Sequence, residues 1–295
     1  MCGLGAIRWA SHGRSDRDRG RDQPGERQGW SPPVTVSGVP VLMYHEVSPT
    51  PHPSFRRYTV TARAFTWQMR WLAACGYQAI DMDDLLRARR GQGSLPDHPV
   101  LITFDDGFQG VIDHAVPVLR AQNFTAVFYL VTGLMGKTSR WMLPEVGLEL
   151  PLMTWDSARA LAAEGFQCAT HTVTHPRLAS LDPARCRTEL VDARRRLEDE
   201  LGGPAVHLAY PYGSYDPGVQ ALVAEAGYVT ACSTRAGLST VDDDLLAIHR
   251  VTIYGHDSLF DFACRLRTGT GVRERLTQAL GDVMSPFRGR PGPRP

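Results

Sequence analysis

The chain has 295 residues and a formal net charge of +1, with 43% hydrophobic and 21% charged residues, the composition of an ordinary globular protein. Near-neutral charge gives no footprint for nucleic acid, which needs a clustered basic surface. Lys137 is the only lysine, which nearly excludes Schiff-base chemistry.

Taken in chain order, residues 1–33 are rich in Arg, Asp, Gly and Gln with almost nothing to bury, and are expected to be a disordered tail. The opening MCGLGAIRWA is too short for a signal-peptide core, and no stretch reaches the ~18 apolar residues of a membrane span. The sequence by itself therefore reads as cytoplasmic. VPVLMYH is a short apolar run, the mark of a buried strand. Thr61 can cap a helix through FTWQMRWLAA, which Gly76 ends. YQAI is a short strand, and DMDDLLRARR a helix with acids in its first turn and arginines in its last, matching the macrodipole. PVLITF reads as a strand, GVIDHAVPVLRAQ as one helix, TAVFYLV as a strand and WDSARALAAEG as a helix stopped by Gly165. FQCATH, HLAYPYG, VTACSTR and LLAIHRVTIYG are further strands. DPARCRTELVDARRRLEDELGG, DPGVQALVAEAGY and SLFDFACRLRTG are the helices between and after them. The close, residues 283–295, resembles the first tail.

Repeated strand–helix units predict an α/β fold with a parallel sheet covered by helices. About seven such units favour a closed or nearly closed (β/α) barrel over residues 34–282. Barrel active sites sit at the carboxyl ends of the strands, so motifs carrying chemistry should fall there. The six cysteines, Cys2, Cys75, Cys168, Cys186, Cys232 and Cys264, form no CxxC pair and read as buried small hydrophobes.

Three motifs fall at strand ends. Thr103-Phe104-Asp105-Asp106-Gly107 follows VLIT. Adjacent carboxylates repel unless something compensates, and a metal does so while leaving one of them free to act as a base. A bare turn or helix cap would use the same residues. His171-Thr172-Val173-Thr174-His175 follows FQCAT, and histidines four apart can share a metal. With Asp106 they supply two imidazoles and a carboxylate, leaving an open position as in catalytic zinc sites. Leu208-Ala209-Tyr210-Pro211-Tyr212-Gly213 ends a third strand. Pro fixes its chain, Gly allows close backbone approach, and such a loop can aim an N–H at a developing oxyanion.

In this order and spacing the motifs resemble the polysaccharide deacetylases of carbohydrate esterase family 4, the NodB-homology domain, over roughly Val39 to His256. Leu42-Met43-Tyr44-His45-Glu46 further resembles the branch of poly-N-acetylglucosamine deacetylases from biofilm systems. The resemblance implies a distorted (β/α) barrel and a hydrolase that removes N-acetyl groups from a polysaccharide of N-acetylglucosamine type. It implies Asp105 as general base, Asp106, His171 and His175 as ligands of one divalent metal, and the Tyr212 N–H in the oxyanion hole. Zinc suits that ligand set, as cobalt or nickel would.

Two positions depart from the family pattern. Ala209 stands where an arginine usually steadies the catalytic aspartate, and Arg250 is a candidate to replace it. The Leu-x-His segment that supplies a general acid is here Ala247-Ile248-His249-Arg250. In the biofilm-related branch an N-terminal histidine takes that role, which favours His45 over His249, with His256 third. His12, His52, His98, His114 and His207 read as surface or structural. Trp141 and Trp155 can serve as sugar platforms or as packing. Rival readings are an O-acetyl esterase or an imide or amide hydrolase on the same scaffold, and a sugar-binding protein that has lost catalysis.

Overall fold

The computed structural model describes residues 38–272. The expected tails at 1–33 and 283–295, both ends of the expected 34–282 domain, Cys2 and His12 lie outside the described residues.

The strands are β1 (Val41–Tyr44), β2 (Glu46–Ser48), β3 (Thr59–Thr61), β4 (Gln78–Ile80), β5 (Pro99–Phe104), β6 (Val127–Leu130), β7 (Gln167–Thr170), β8 (His207–Ala209), β9 (Thr230–Ala236) and β10 (Ile248–Thr252). The helices are α1 (Ala62–Ala74), α2 (Met82–Arg89), α3 (Val116–Ala121), α4 (Leu143–Val146), α5 (Trp155–Ala163), α6 (Pro183–Leu201), α7 (Pro217–Glu225) and α8 (Leu259–Thr268). Seven parallel strands form a ring in the order β1, β10, β9, β8, β7, β6, β5, and β5 pairs back onto β1. Leu42 lies opposite Val251 on one side and Ile102 on the other, which closes the barrel. This is the barrel of about seven strands that the sequence predicts. β4 adds to the start of β5.

Each ring strand is covered on both faces, which is why the strands read as continuous apolar runs. Val41, Leu101, Val127, Tyr129, Ala169, Ala209, Cys232 and Ile248 pack together as the barrel interior. Leu42, Tyr44, Val100, Ile102, Phe104 and Phe128 alternate with them and join the outer core. In α1, Phe65, Met69 and Leu72, spaced by four and three, bury one face of the helix. The Thr61 hydroxyl accepts from Ala64 N at its start, the expected cap. Met82 and Leu85 of α2 join the interior. Met82 N donates to Gln167, and Asp83 pairs with His207, at the starts of β7 and β8. α2 thus plugs the amino-terminal mouth, and His207 is a structural residue there.

Three expectations need correction. GVIDHAVPVLRAQ is a π-helical turn, Val111–Ala115, running into α3. Pro117 would strike the Asp113 carbonyl in a regular helix, and the wider turn relieves that clash. β2 and β3, a separate parallel pair, and the short α4 were not expected, because three or four residues carry no periodic signal. Cys75, at the end of α1, is exposed, whereas Cys186 and Cys232 are buried and Cys168 and Cys264 partly so. Among the described residues no helix is long and apolar enough to cross a membrane.

Candidate active site and metal centre

On four of the ring strands the inward-facing row becomes polar at the carboxyl end. Val41 and Met43 lead to His45, Leu101 and Thr103 to Asp105, Ala169 to His171, and Ile248 to Arg250, each two residues on. One rim therefore collects the side chains that three separate motifs carry. His45, Asp105 and His171 line a cleft of about 600 Å³ that also holds Asp106, His175, Tyr212 and Trp141, with Arg250 buried behind Asp105.

Asp106, His171 and His175 are buried, and one ligand atom from each lies within 4.8 Å of the others. Asp106 Oδ1 is 3.1 Å from His175 Nε2 and 3.5 Å from His171 Nε2. His171 Nδ1 sits 2.7 Å from the Ala209 carbonyl, which can only accept, so Nδ1 carries the proton and Nε2 presents its lone pair to the centre. Asp106 Oδ1 and His175 Nδ1 are buried with no hydrogen-bond partner. A carboxylate oxygen left without a donor beside two inward imidazole nitrogens is a donor set that fits a divalent metal ion. Burial alone would raise the Asp106 pKa, but a proton on His175 or His171 facing it holds it well below the usual range, so in the absence of a metal the carboxylate stays ionised. Burial lowers that of His175, which favours the neutral, ligating form.

Asp105 faces Arg250 instead. Nη1 and Nη2 donate to Oδ1 and Oδ2, each at 2.7 Å, and the guanidinium is fully buried. Nη1 also reaches Thr103 Oγ1, and Nε donates to the Ser233 carbonyl. Burial pushes the Asp105 pKa up, but the Arg250 charge and hydrogen bonds, together with His171 and His45 nearby, more than offset it, so the carboxyl is lowered and stays ionised. The substitute arginine expected from the sequence is thus in contact with Asp105, while Ala209 supplies only the carbonyl that orients His171.

His45 lines the same cleft, 5.1 Å from the Tyr58 ring, with Nδ1 buried and unpartnered. Burial lowers its pKa, against the pull of Asp106 and Asp105. His249 is turned away: its Nδ1 is 3.1 Å from Asp243, and it does not line the cleft. His256 stacks on Tyr254 at 5.4 Å. Trp141 stacks on His175 at 4.6 Å, and Tyr212 meets the same imidazole edge-on at 4.6 Å. Trp155 packs against the outer core instead.

The backbone here is unusual. Five described non-glycine residues have positive φ, and four are in this site: Asp106 (74°), Thr172 (67°), His175 (64°) and Tyr212 (59°). Glu189 of α6 holds the 172–175 turn. Its carboxylate accepts from Val173 N at 2.8 Å, Thr174 N at 2.9 Å and Thr174 Oγ1 at 2.6 Å. The sequence reading missed Glu189, because an acid on an amphipathic helix looks like any solvated position.

Residues 92–231 match the family model described as polysaccharide deacetylase. That stretch of the chain is a polysaccharide deacetylase domain. The poly-beta-1,6-N-acetyl-D-glucosamine N-deacetylase of Escherichia coli K12 is 26% identical over 257 residues, covering 76% of this chain and 38% of that protein. YxkH of Bacillus subtilis, whose name assigns it to the polysaccharide deacetylases, is 24% identical over 228 residues, covering 77% of this chain and 76% of its own. The Streptococcus pyogenes deacetylase PplD, solved in complex with acetate, superposes with a TM-score of 0.68 at 24% identity, covering 78% of this chain and 98% of that one. That likeness is one of fold. In this chain the arginine on Asp105 comes from β10, and position 209 is an alanine.

Proposed function

We propose that the chain is a metal-dependent hydrolase that removes N-acetyl groups from a polysaccharide of N-acetylglucosamine type. One observation carries the reading: of two adjacent buried carboxylates, Asp105 is gripped by a guanidinium while Asp106 faces two imidazole nitrogens. That division suits one carboxylate for proton transfer and the other for a metal.

Asp106, His171 and His175 would hold the ion, and zinc, cobalt and nickel all suit two imidazoles and a carboxylate. When bound, such an ion supplies positive charge that lowers the pKa of water and polarises a carbonyl. Asp105 accepts a proton from the attacking water. A carboxylate has about four lone-pair sites, so the two taken by Arg250 leave room for this. The Tyr212 N–H donates to the carbonyl oxygen as charge grows on it. The acetyl carbon gains the water oxygen, the carbon–nitrogen bond breaks, and His45 gives a proton to the departing amine. Acetate and a free amino sugar result.

The test is acetate release from N-acetylglucosamine oligomers by the purified protein, after chelation and after adding zinc back. Release that returns with zinc and is lost in Asp105→Asn supports the reading. Release from acetylated xylan but not from these oligomers would move the assignment to an O-acetyl esterase.

A further inference from the structure

A second groove, of about 730 Å³, runs down the outside of the barrel between α1 and the start of α8. Its floor includes Trp67, an exposed indole (37% accessible) stacked on Trp71 with rings 6.4 Å apart and 28° between planes. Around it lie Arg63, Thr66, Arg70, Ser258 and Leu259. A flat aromatic face with guanidinium donors beside it is chemistry that suits a sugar ring, while the Thr66 and Ser258 hydroxyls, which donate to the Ala62 carbonyl and to Asp261, offer acceptor lone pairs. The ring's C–H face stacks on the indole while its hydroxyls and amide carbonyl take hydrogen bonds.

The groove adjoins the catalytic cleft across one wall. Tyr58 and Tyr254 line the cleft, and Thr61 and Asp257, three residues on in each segment, line the groove. An aromatic series runs along the cleft side of that wall: His45 to Tyr58 at 5.1 Å, Tyr58 to Tyr254 at 6.0 Å, and Tyr254 to His256 at 5.4 Å. The two segments are locked together. A Cβ on Gly255 would meet the Thr59 and Arg56 carbonyl oxygens at 2.2 and 2.3 Å, and Gly255 N donates to Arg57 O. The wall between cleft and groove is therefore a fixed rim over which a chain can bend.

From this adjacency, and from the exposed indole of Trp67, we infer that the groove between α1 and α8 is a distal binding site for the same glycan chain whose acetylated unit lies in the cleft, an inference that rests on the proposed deacetylase reading. The occupant is a still-acetylated stretch. The lining guanidinium groups of Arg63 and Arg70 disfavour the ammonium groups of deacetylated units, and the one acid in the lining, Asp257, is already paired with Arg265 at 2.9 Å.

The experiment compares wild type and Trp67→Ala on N-acetylglucosamine oligomers of increasing length, with Trp67→Tyr as the rescue. Losing one exposed stacking platform should raise KM about three- to tenfold for long chains. kcat, and all kinetics on the shortest substrates, should stay unchanged, and Trp67→Tyr should recover most of the loss. Equal effects on short and long chains, or none on either, would overturn the distal site while leaving the deacetylase reading intact. Wild type that releases no acetate at any length counts against the deacetylase reading itself. In that case the groove is tested alone, by binding of the acetylated and the deacetylated polymer to wild type and Trp67→Ala. Equal binding by the two proteins would overturn it.

Discussion

Arg250 and Asp105 meet as a two-pronged fork inside the barrel, both charges buried and both carboxylate oxygens engaged at 2.7 Å. A buried pair of this kind does more harm when half of it is removed than the intact pair contributes, because the survivor is left charged and dry. Arg250→Ala should therefore lower unfolding stability by about 3–5 kcal/mol in a denaturant titration. It should also move the acid limb of the kcat/KM profile to higher pH, because Asp105 loses the cation that holds its pKa down. An unchanged acid limb would mean that Arg250 does not set the protonation of the base.

The assignment of the proton donor separates two histidines. His45→Ala should cut kcat by about 10²–10⁴-fold, the range for a lost general acid. His249→Ala, whose imidazole is bound to Asp243 away from the cleft, should leave kcat within about twofold, the effect of a surface change. The reverse order would transfer the role to His249.

Glu189 touches no candidate ligand yet fixes the turn between two of them. Glu189→Ala should weaken zinc binding about 10- to 100-fold in competition with a chromophoric chelator, as lost supporting contacts around metal ligands do. Glu189→Gln keeps one acceptor oxygen and should fall between the two. Equal zinc affinity in all three proteins would reduce Glu189 to a surface acid.

Glu46 is buried, and desolvation, with Asp113 and Asp106 nearby, raises its pKa from 4.5 to about 8. A carboxyl with a raised folded-state pKa favours folding most at low pH. That contribution is fully present below about pH 4.5 and shrinks as pH rises through 8, because the unfolded chain releases the proton first. Metal-free Glu46→Gln should therefore gain stability relative to metal-free wild type across that window, by at most about 1.4 kcal/mol per pH unit. Parallel stability curves for the two proteins would show that Glu46 is ionised in the fold.

The barrel was legible because strands buried on both faces are unbroken apolar runs, and because caps such as Thr61 mark helix starts. The Asp105-Asp106 and His171–His175 motifs were legible because each lies within one short segment. The Arg250 contact joins residues 145 apart, and only ring closure through β1, β5 and β10 brings them together. The family pattern raised Arg250 as a candidate, but no local spacing could show its geometry. Glu189 had no signal at all, since its partners are mostly backbone N–H groups, which every residue except proline has. β2 and β3 escaped for their length, and the π-helical turn because Pro117 is tolerated there at the cost of a regular helix.

The four left-handed residues around the cleft set thermal robustness against turnover. At Thr172, whose side chain offers the His175 N–H a hydroxyl acceptor, glycine would adopt the observed φ without crowding. A library varied at that position and sorted only for survival on heating should thus enrich glycine or asparagine, while the same library sorted for product should retain threonine. Engineering this protein for heat tolerance would do better to start on α5, α6 or α7 and leave the rim alone.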